Sequence, residues 1–140
     1  MFIKLAKPED LKMNKRIIIS AAIFGALAVI LGAFGAHSLK KVLSTADLEI
    51  WHTAVQYHFY HTFALLFLST FGRFKNNIIN FSSYCFVAGI VFFSGSLYLM
   101  ALKSLFHWES VSFLGPITPI GGLFFILGWL SLLLAAIKDK

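Results

Sequence analysis

Apolar residues fall into four long runs along the chain, separated by short polar breaks. The runs are Ile17 to Leu39, Ile50 to Gly72, Asn76 to Leu102 and Ser110 to Ile137. A helix needs roughly 20 apolar residues to cross the hydrocarbon of a bilayer, and each run meets that length. The first two contain no Asp, Glu, Lys or Arg, and the second contains three histidines. The opening residues of the fourth read as loop, which places its helix at about 117–137. The pattern predicts an all-α integral membrane protein. Residues 13–140 form a four-transmembrane-helix bundle with spans near 17–39, 50–72, 76–102 and 117–137, after a polar N-terminal extension at 1–12. Lys15 and Arg16 before the first run, with Ala33-Phe34-Gly35 near its end, have the layout of a secretory signal. The run is too long for a signal's apolar segment, so it reads as a span.

Local signals set the helix ends. Ser44-Thr45-Ala46-Asp47 has the S-x-x-D form of a helix start, with the acid favoured in the first turn. The second helix is therefore expected from Thr45 to Phe71, roughly 40 Å at 1.5 Å per residue. Thr118 is expected to cap the fourth helix, with Pro119 in the first turn where its missing N–H breaks no bond. The glycines and prolines around them predict a tightly shaped, partly unwound start. Lipid supplies no hydrophobic drive between helices, so close backbone approach decides how they pack. Ala21, Gly25, Ala28, Gly32 and Gly35 form a smooth face on the first span; Gly89 and Gly95 serve the third, and Gly121 and Gly128 the fourth. These glycines are the expected helix-packing positions.

Composition sharpens the picture. Hydrophobic residues make up 59% of the 140 and charged residues 13%, with a mean hydropathy of +0.81. The net charge of +6 does not indicate nucleic acid, because the cations sit between apolar blocks and not in a basic stripe. They sort by side instead. Lys4, Lys7, Lys12, Lys15, Arg16, Arg73, Lys75, Lys138 and Lys140 share one side of a four-span chain; Lys40, Lys41 and Lys103 share the other. That asymmetry predicts both termini on the cytoplasmic side; short loops biased in this way suit a bacterial inner membrane, the expected location, and a mitochondrial one alike. Trp51, Tyr98 and Trp108 fall near the outer span ends, as interfacial aromatics do. The single cysteine, Cys85, lies in an apolar run and reads as a small core residue.

With that topology, the polar residues inside the spans gather toward the outer half. His37 closes the first span. Tyr57, His58 and His61 lie in the second, where His58 and His61, and Tyr57 and His61, share a helix face. Ser94, Ser96 and Tyr98 end the third span, and Thr118 opens the fourth. Polar groups at membrane depth call for an explanation. Either they hydrogen bond one another and fix the helix register, or they line an outward-facing site for a lipid, quinone, haem or small solute. No metal-ligand spacing, catalytic motif or buried acid–base pair is present, so no catalytic residue is expected and the cofactor is left open. His52 and His107 read as surface residues.

Four segments together resemble a known family. Gly32-Ala33-Phe34-Gly35-Ala36-His37, Tyr57 with His61, Phe93-Ser94-Gly95-Ser96-Leu97-Tyr98, and Thr118-Pro119-Ile120-Gly121-Gly122 resemble the YgdD-like inner-membrane family. It is also called domain of unknown function 423 and has mitochondrial relatives. The likeness covers about 13–137. It implies a small multi-span inner-membrane protein and supplies no activity. It singles out Gly32, Gly35, His37, Tyr57, His61, Ser94, Gly95, Ser96, Pro119 and Gly121, and leaves out His58. The expectation is a non-enzymatic membrane protein: an accessory or assembly subunit of a larger membrane complex, or a small homo-oligomer. The alternative is a binding or transport module built on His37, Tyr57, His61 and Ser96. The lipid bilayer is the expected surrounding.

Overall fold

The computed structural model describes residues 13–70, 77–108 and 113–138, and all regular structure among them is helical. The expected extension at 1–12, the end of the second span, the link that follows it and residues 109–112 lie outside the described residues.

Helix α1 runs Lys15–His37. Its start is set by Asn14, whose side-chain oxygen accepts from the Arg16 and Ile17 backbone N–H groups. A short 3-10 turn at Leu39–Lys41 follows. Helix α2, Thr45–Ser69, begins as the sequence predicts: the Ser44 hydroxyl accepts from the Asp47 N–H and donates to the Asp47 carboxylate. Helix α3, Asn77–Gly89, passes through a π-helical turn at Ile90–Ser94 into α4, Gly95–Ala101, making one continuous rod. Helix α5 spans Leu114–Lys138.

The start of α5 corrects the sequence reading. Thr118 does not cap it and Pro119 is not in the first turn, because the helix begins a turn earlier at Leu114 and Pro119 lies inside it. Pro116 takes the first-turn place, where its missing N–H had no helical partner to lose. The Thr118 side chain is left free for a neighbouring helix, and the start is helical, not unwound.

Three stretches, Lys15–Lys41, Asn77–Ala101 and Leu114–Lys138, are long and apolar enough to cross a membrane. Helix α2 is as long as α5 but falls short on hydropathy, since His52, Gln56, His58 and His61 interrupt it. It is more enclosed than the outer helices: ten of its residues are buried, against four of α1 and six of α5. His58 and His61 are turned inward while His52 and Gln56, nearer the start of the helix, are exposed; burying its mid-helix polar groups is how a helix of this composition can coexist with hydrocarbon.

Helices α1 and α2 are antiparallel. The Asn14 N–H donates to the Ser69 carbonyl at one end, and Trp51 crosses Gly35 at the other. Gly35 leaves room for the indole, which lies 2.6 Å from where a Cβ would stand and donates to the Leu31 carbonyl at 3.0 Å. Trp51 is therefore buried in protein, not interfacial. Gly25 and Gly32 make only ordinary contacts of 3.5 Å, with Thr62 and Val55.

The α3–α4 rod and α5 are also antiparallel, in a fixed register. Phe86 fills the space over Gly128, Phe125 fills the space over Gly89, and Gly121 lies against the Phe93 backbone in the π turn. The Ser82 hydroxyl crosses to the Gly128 carbonyl at 2.8 Å. Buried positions on α5 recur every seven residues at Leu114, Gly121, Phe125 with Gly128, and Ala135, the repeat that keeps one helix face on its partner. Gly95 takes no part, since a Cβ there would meet nothing within 4 Å. The π turn shifts the face that α4 presents, which a straight 3.6-residue reading does not anticipate.

Helix α1 packs on α2, α2 on α3–α4, and α3–α4 on α5. The result is a central pair flanked on opposite sides, with grooves on the two diagonals: one between α1 and α3, the other between α2 and α5. The outward sides of α1 and α5 are apolar, with Ile19, Ile23, Ile30, Leu123, Leu133 and Ile137 all exposed. A surface this extensively apolar needs lipid or a partner to cover it.

Candidate functional site

The polar residues singled out from the sequence do not form one cluster. The structure sorts them into three sites and leaves His37 outside all of them, exposed at the end of α1.

The first site lies in the groove between α2 and α5, about 480 Å³ and lined by Tyr57, Tyr60, His61, Phe93, Phe125 and Trp129 among others. Tyr57 is the midpoint of α2 and Ile126, on the opposite wall, the midpoint of α5. The groove thus sits at the middle of both helices. His61 is held from three directions. Its Nδ1–H donates to the Tyr57 carbonyl at 2.8 Å, and its Nε2 accepts from the Trp129 indole N–H at 3.3 Å. A carbonyl can only accept and an indole N–H can only donate, so these bonds assign the neutral tautomer with its proton on Nδ1. The ring also lies flat on Phe125, with centroids 3.4 Å apart and planes 6° apart. Tyr57 packs against Phe93 at 4.6 Å and is 39% exposed. Neither its hydroxyl nor that of Tyr60, 57% exposed in the same lining, has a hydrogen-bond partner among the described residues, so the aromatic lining carries two phenol hydroxyls open to a ligand.

The second site joins α2 to α4. His58 Nδ1 and the Tyr98 hydroxyl are hydrogen bonded at 3.2 Å, and the Phe24 ring of α1 stands edge-on to the imidazole at 5.6 Å. His58 Nε2 is buried and makes no hydrogen bond, as is the Ser94 hydroxyl in the π turn. Unpaired buried polar atoms are rare and costly, and here they mark the α2–α4 seam.

The third site joins α4 to α5. The Ser96 hydroxyl donates to the Phe93 carbonyl at 2.9 Å, so its 2.7 Å contact with Thr118 must be a bond donated by Thr118. The alternative acceptor for Thr118, the Leu114 carbonyl, is at 3.5 Å. Ser96 thereby serves a backbone carbonyl of the π turn while tying α4 to α5.

Trp129, Ser82 and Asn80 escaped the sequence reading. Trp129 carried a usable signal: an indole in the middle of a span needs an acceptor that hydrocarbon does not supply. Outside the membrane-length helices, the Asp47 carboxylate is buried and accepts from Ser44 and Ser104 at 2.8 and 3.1 Å. It pins the start of α2 to the segment after α4. Among the described residues no group of three or more His, Cys, Asp and Glu is placed to hold a metal ion. Both His61 nitrogens are already committed to protein partners.

A small, all-helical membrane protein with an aromatic groove at mid-helix is the class that this fold and site define. The profile of the family described as "Protein of unknown function (DUF423)" matches residues 31–122. The UPF0382 membrane protein YwdK of Bacillus subtilis is 41% identical over 126 residues, covering 89% of this chain and 98% of the relative. A UPF0382 membrane protein of Staphylococcus epidermidis is 43% identical over 124 residues, covering 89% and 97%. The UPF0382 inner membrane protein YgdD of Escherichia coli K12 is 40% identical over 128 residues, covering 91% and 93%. The chain belongs to this family of membrane proteins. No solved structure matches it.

Proposed function

We propose that the protein is a non-enzymatic inner-membrane protein of four spans, with both termini cytoplasmic, that binds a planar lipid-soluble molecule in the groove between α2 and α5. The four-span reading is supported by α2, whose length of roughly 37 Å exceeds the hydrocarbon thickness of roughly 30 Å and whose mid-helix histidines, His58 and His61, are buried among the other helices. The observation that carries the binding reading is the free Tyr57 hydroxyl on a wall of Phe93, Phe125 and Trp129. Flat aromatic walls favour a flat ring, and unpartnered phenol hydroxyls, of Tyr57 and its lining neighbour Tyr60, favour a ring that carries acceptor oxygens. A quinone has both features. His61 acts as a positioning residue: held to the Tyr57 backbone carbonyl within α2, it accepts from Trp129 and so ties that wall of the groove to α2.

The test is quenching of tryptophan fluorescence by a short-chain benzoquinone in detergent-purified protein. Saturable quenching is expected, with affinity about fivefold weaker in Tyr57→Phe, the effect of one hydrogen bond of about 1 kcal/mol. Quenching that never saturates, or that is equal in Tyr57→Phe, contradicts the reading.

The accessory-subunit reading is supported by a different observation: the described segments outside the long helices are short, leaving little surface for recognition in water. It predicts that the protein is recovered inside a larger membrane complex of defined stoichiometry.

A further inference from the structure

The second diagonal groove, between α1 and α3, has a different chemistry and is independent of the binding reading above. It encloses about 430 Å³ at the end of the molecule where α1 begins and α2 finishes. Its rim is polar and cationic, with Lys15, Arg16 and Asn80; below it Ile17, Leu65 and Val87 give an apolar floor, beside Tyr84 and two serines, Ser20 and Ser83, whose hydroxyls already donate to the Arg16 and Asn80 carbonyls. Among the described residues, one long hydrogen bond, from Asn14 to Asn80 at 3.4 Å, bridges the helices on its two sides. The backbone N–H groups of Arg16 and Ile17 are occupied by the Asn14 side chain. Any attraction for an anion therefore comes from the Lys15 and Arg16 side chains and not from a free helix end. The acidic residues described in the structure, Asp47 and Glu49, are both at the far end of α2.

We infer that this groove is a binding site for an anionic phospholipid. The order of chemistry along it matches one lipid molecule: a cationic rim at the helix ends, then an apolar trough running between α1 and α3 toward the bilayer interior. An arginine fork pairs with phosphate oxygens in two-point geometry, and the adjacent lysine adds a second charge. Ile17 and Leu65 are buried, so the floor is part of the packed core and the shape of the trough is fixed. A zwitterionic lipid would fill the trough equally well but would gain less at the rim. The charge of the headgroup therefore sets selectivity and the trough sets residence.

The experiment is native mass spectrometry of the full chain in detergent, titrated with phosphatidylglycerol or phosphatidylcholine of identical acyl chains. The wild-type protein is expected to retain phosphatidylglycerol preferentially. The pair K15Q/R16Q removes two charges, each worth about 1 kcal/mol toward anionic lipid, and should lower phosphatidylglycerol retention about tenfold or more. Lys138→Gln removes a charge at the same end but outside the groove and should leave retention unchanged. Val87→Trp fills the trough without altering charge and should also abolish retention. Equal retention of both lipids by the wild type overturns the inference. So does undiminished phosphatidylglycerol binding by K15Q/R16Q or by a folded Val87→Trp protein, or equal loss in K15Q/R16Q and Lys138→Gln. If Val87→Trp does not fold, the comparison of K15Q/R16Q with Lys138→Gln decides the matter.

Discussion

Gly121→Ala is the substitution whose effect the structure defines most sharply. A Cβ at Gly121 would stand 2.3 Å from the Phe93 backbone nitrogen and 2.7 Å from its Cα, whereas ordinary contact begins at 3.4 Å. Both obstructing atoms are backbone, so no side chain can rotate away. Helix α5 must move off the π turn by about 1.1 Å, the difference between 3.4 and 2.3 Å. That shift lengthens the 2.7 Å Thr118–Ser96 bond out of range and loosens Phe125 over Gly89. Overpacking of this kind costs about 1–3 kcal/mol and the lost bond about 1 kcal/mol, against about 0.8–1 kcal/mol returned by the helix propensity of alanine, a net loss of about 1–3 kcal/mol. Gly95→Ala is the internal control, because a Cβ there meets nothing within 4 Å and alanine gains about 0.8–1 kcal/mol of helix propensity over glycine. Unfolding in mixed micelles, followed by tryptophan fluorescence, should place Gly121→Ala below the wild type and Gly95→Ala at or above it. A Gly121→Ala protein as stable as the wild type, or a Gly95→Ala protein destabilised to the same degree, refutes the packing argument.

Two further predictions test other contacts. Trp51→Phe keeps most of the ring over Gly35 but removes the bond to the Leu31 carbonyl, so it should cost about 1 kcal/mol, while Trp51→Ala should cost about 3–5 kcal/mol; equal losses in the same unfolding assay would show that the indole bond and the packing are wrongly apportioned. His61→Phe preserves the stack on Phe125 but leaves the Trp129 N–H without its acceptor; the Trp129 emission should shift while the fold persists, and unchanged emission in a Trp129-only background would count against the bond.

The sequence made some levels of this structure legible and hid others. The long helices follow from apolar run length, and the start of α2 follows from Ser44 and Asp47, because both signals are local. The start of α5 was misread because two prolines compete for the first turn, and only the position of Leu114 against its neighbours shows that Pro116 takes it. The π turn left no sign in the sequence that a 3.6-residue period could reveal, and with it went the face of Gly95. The candidate site was half legible: Tyr57 and His61 announced themselves as polar residues on one helix face. Their partners did not, because Phe93, Phe125 and Trp129 look like ordinary lipid-facing aromatics until the register of α5 against the π turn is known. His37 sits in a matching motif but stands exposed at the end of α1, outside the three polar sites.

The claim that matters most is that the mid-helix groove between α2 and α5 is occupied in the cell. Native mass spectrometry of the particle extracted gently from its own membrane tests it directly, with Gly122→Leu as the comparison, since the Gly122 Cβ position has 3.8 Å of clearance and a larger side chain projects into the groove. The account predicts a fixed extra mass, distinct from phospholipid, on the wild-type protein and its loss in Gly122→Leu. A wild-type particle carrying only phospholipid, indistinguishable from Gly122→Leu, would contradict it.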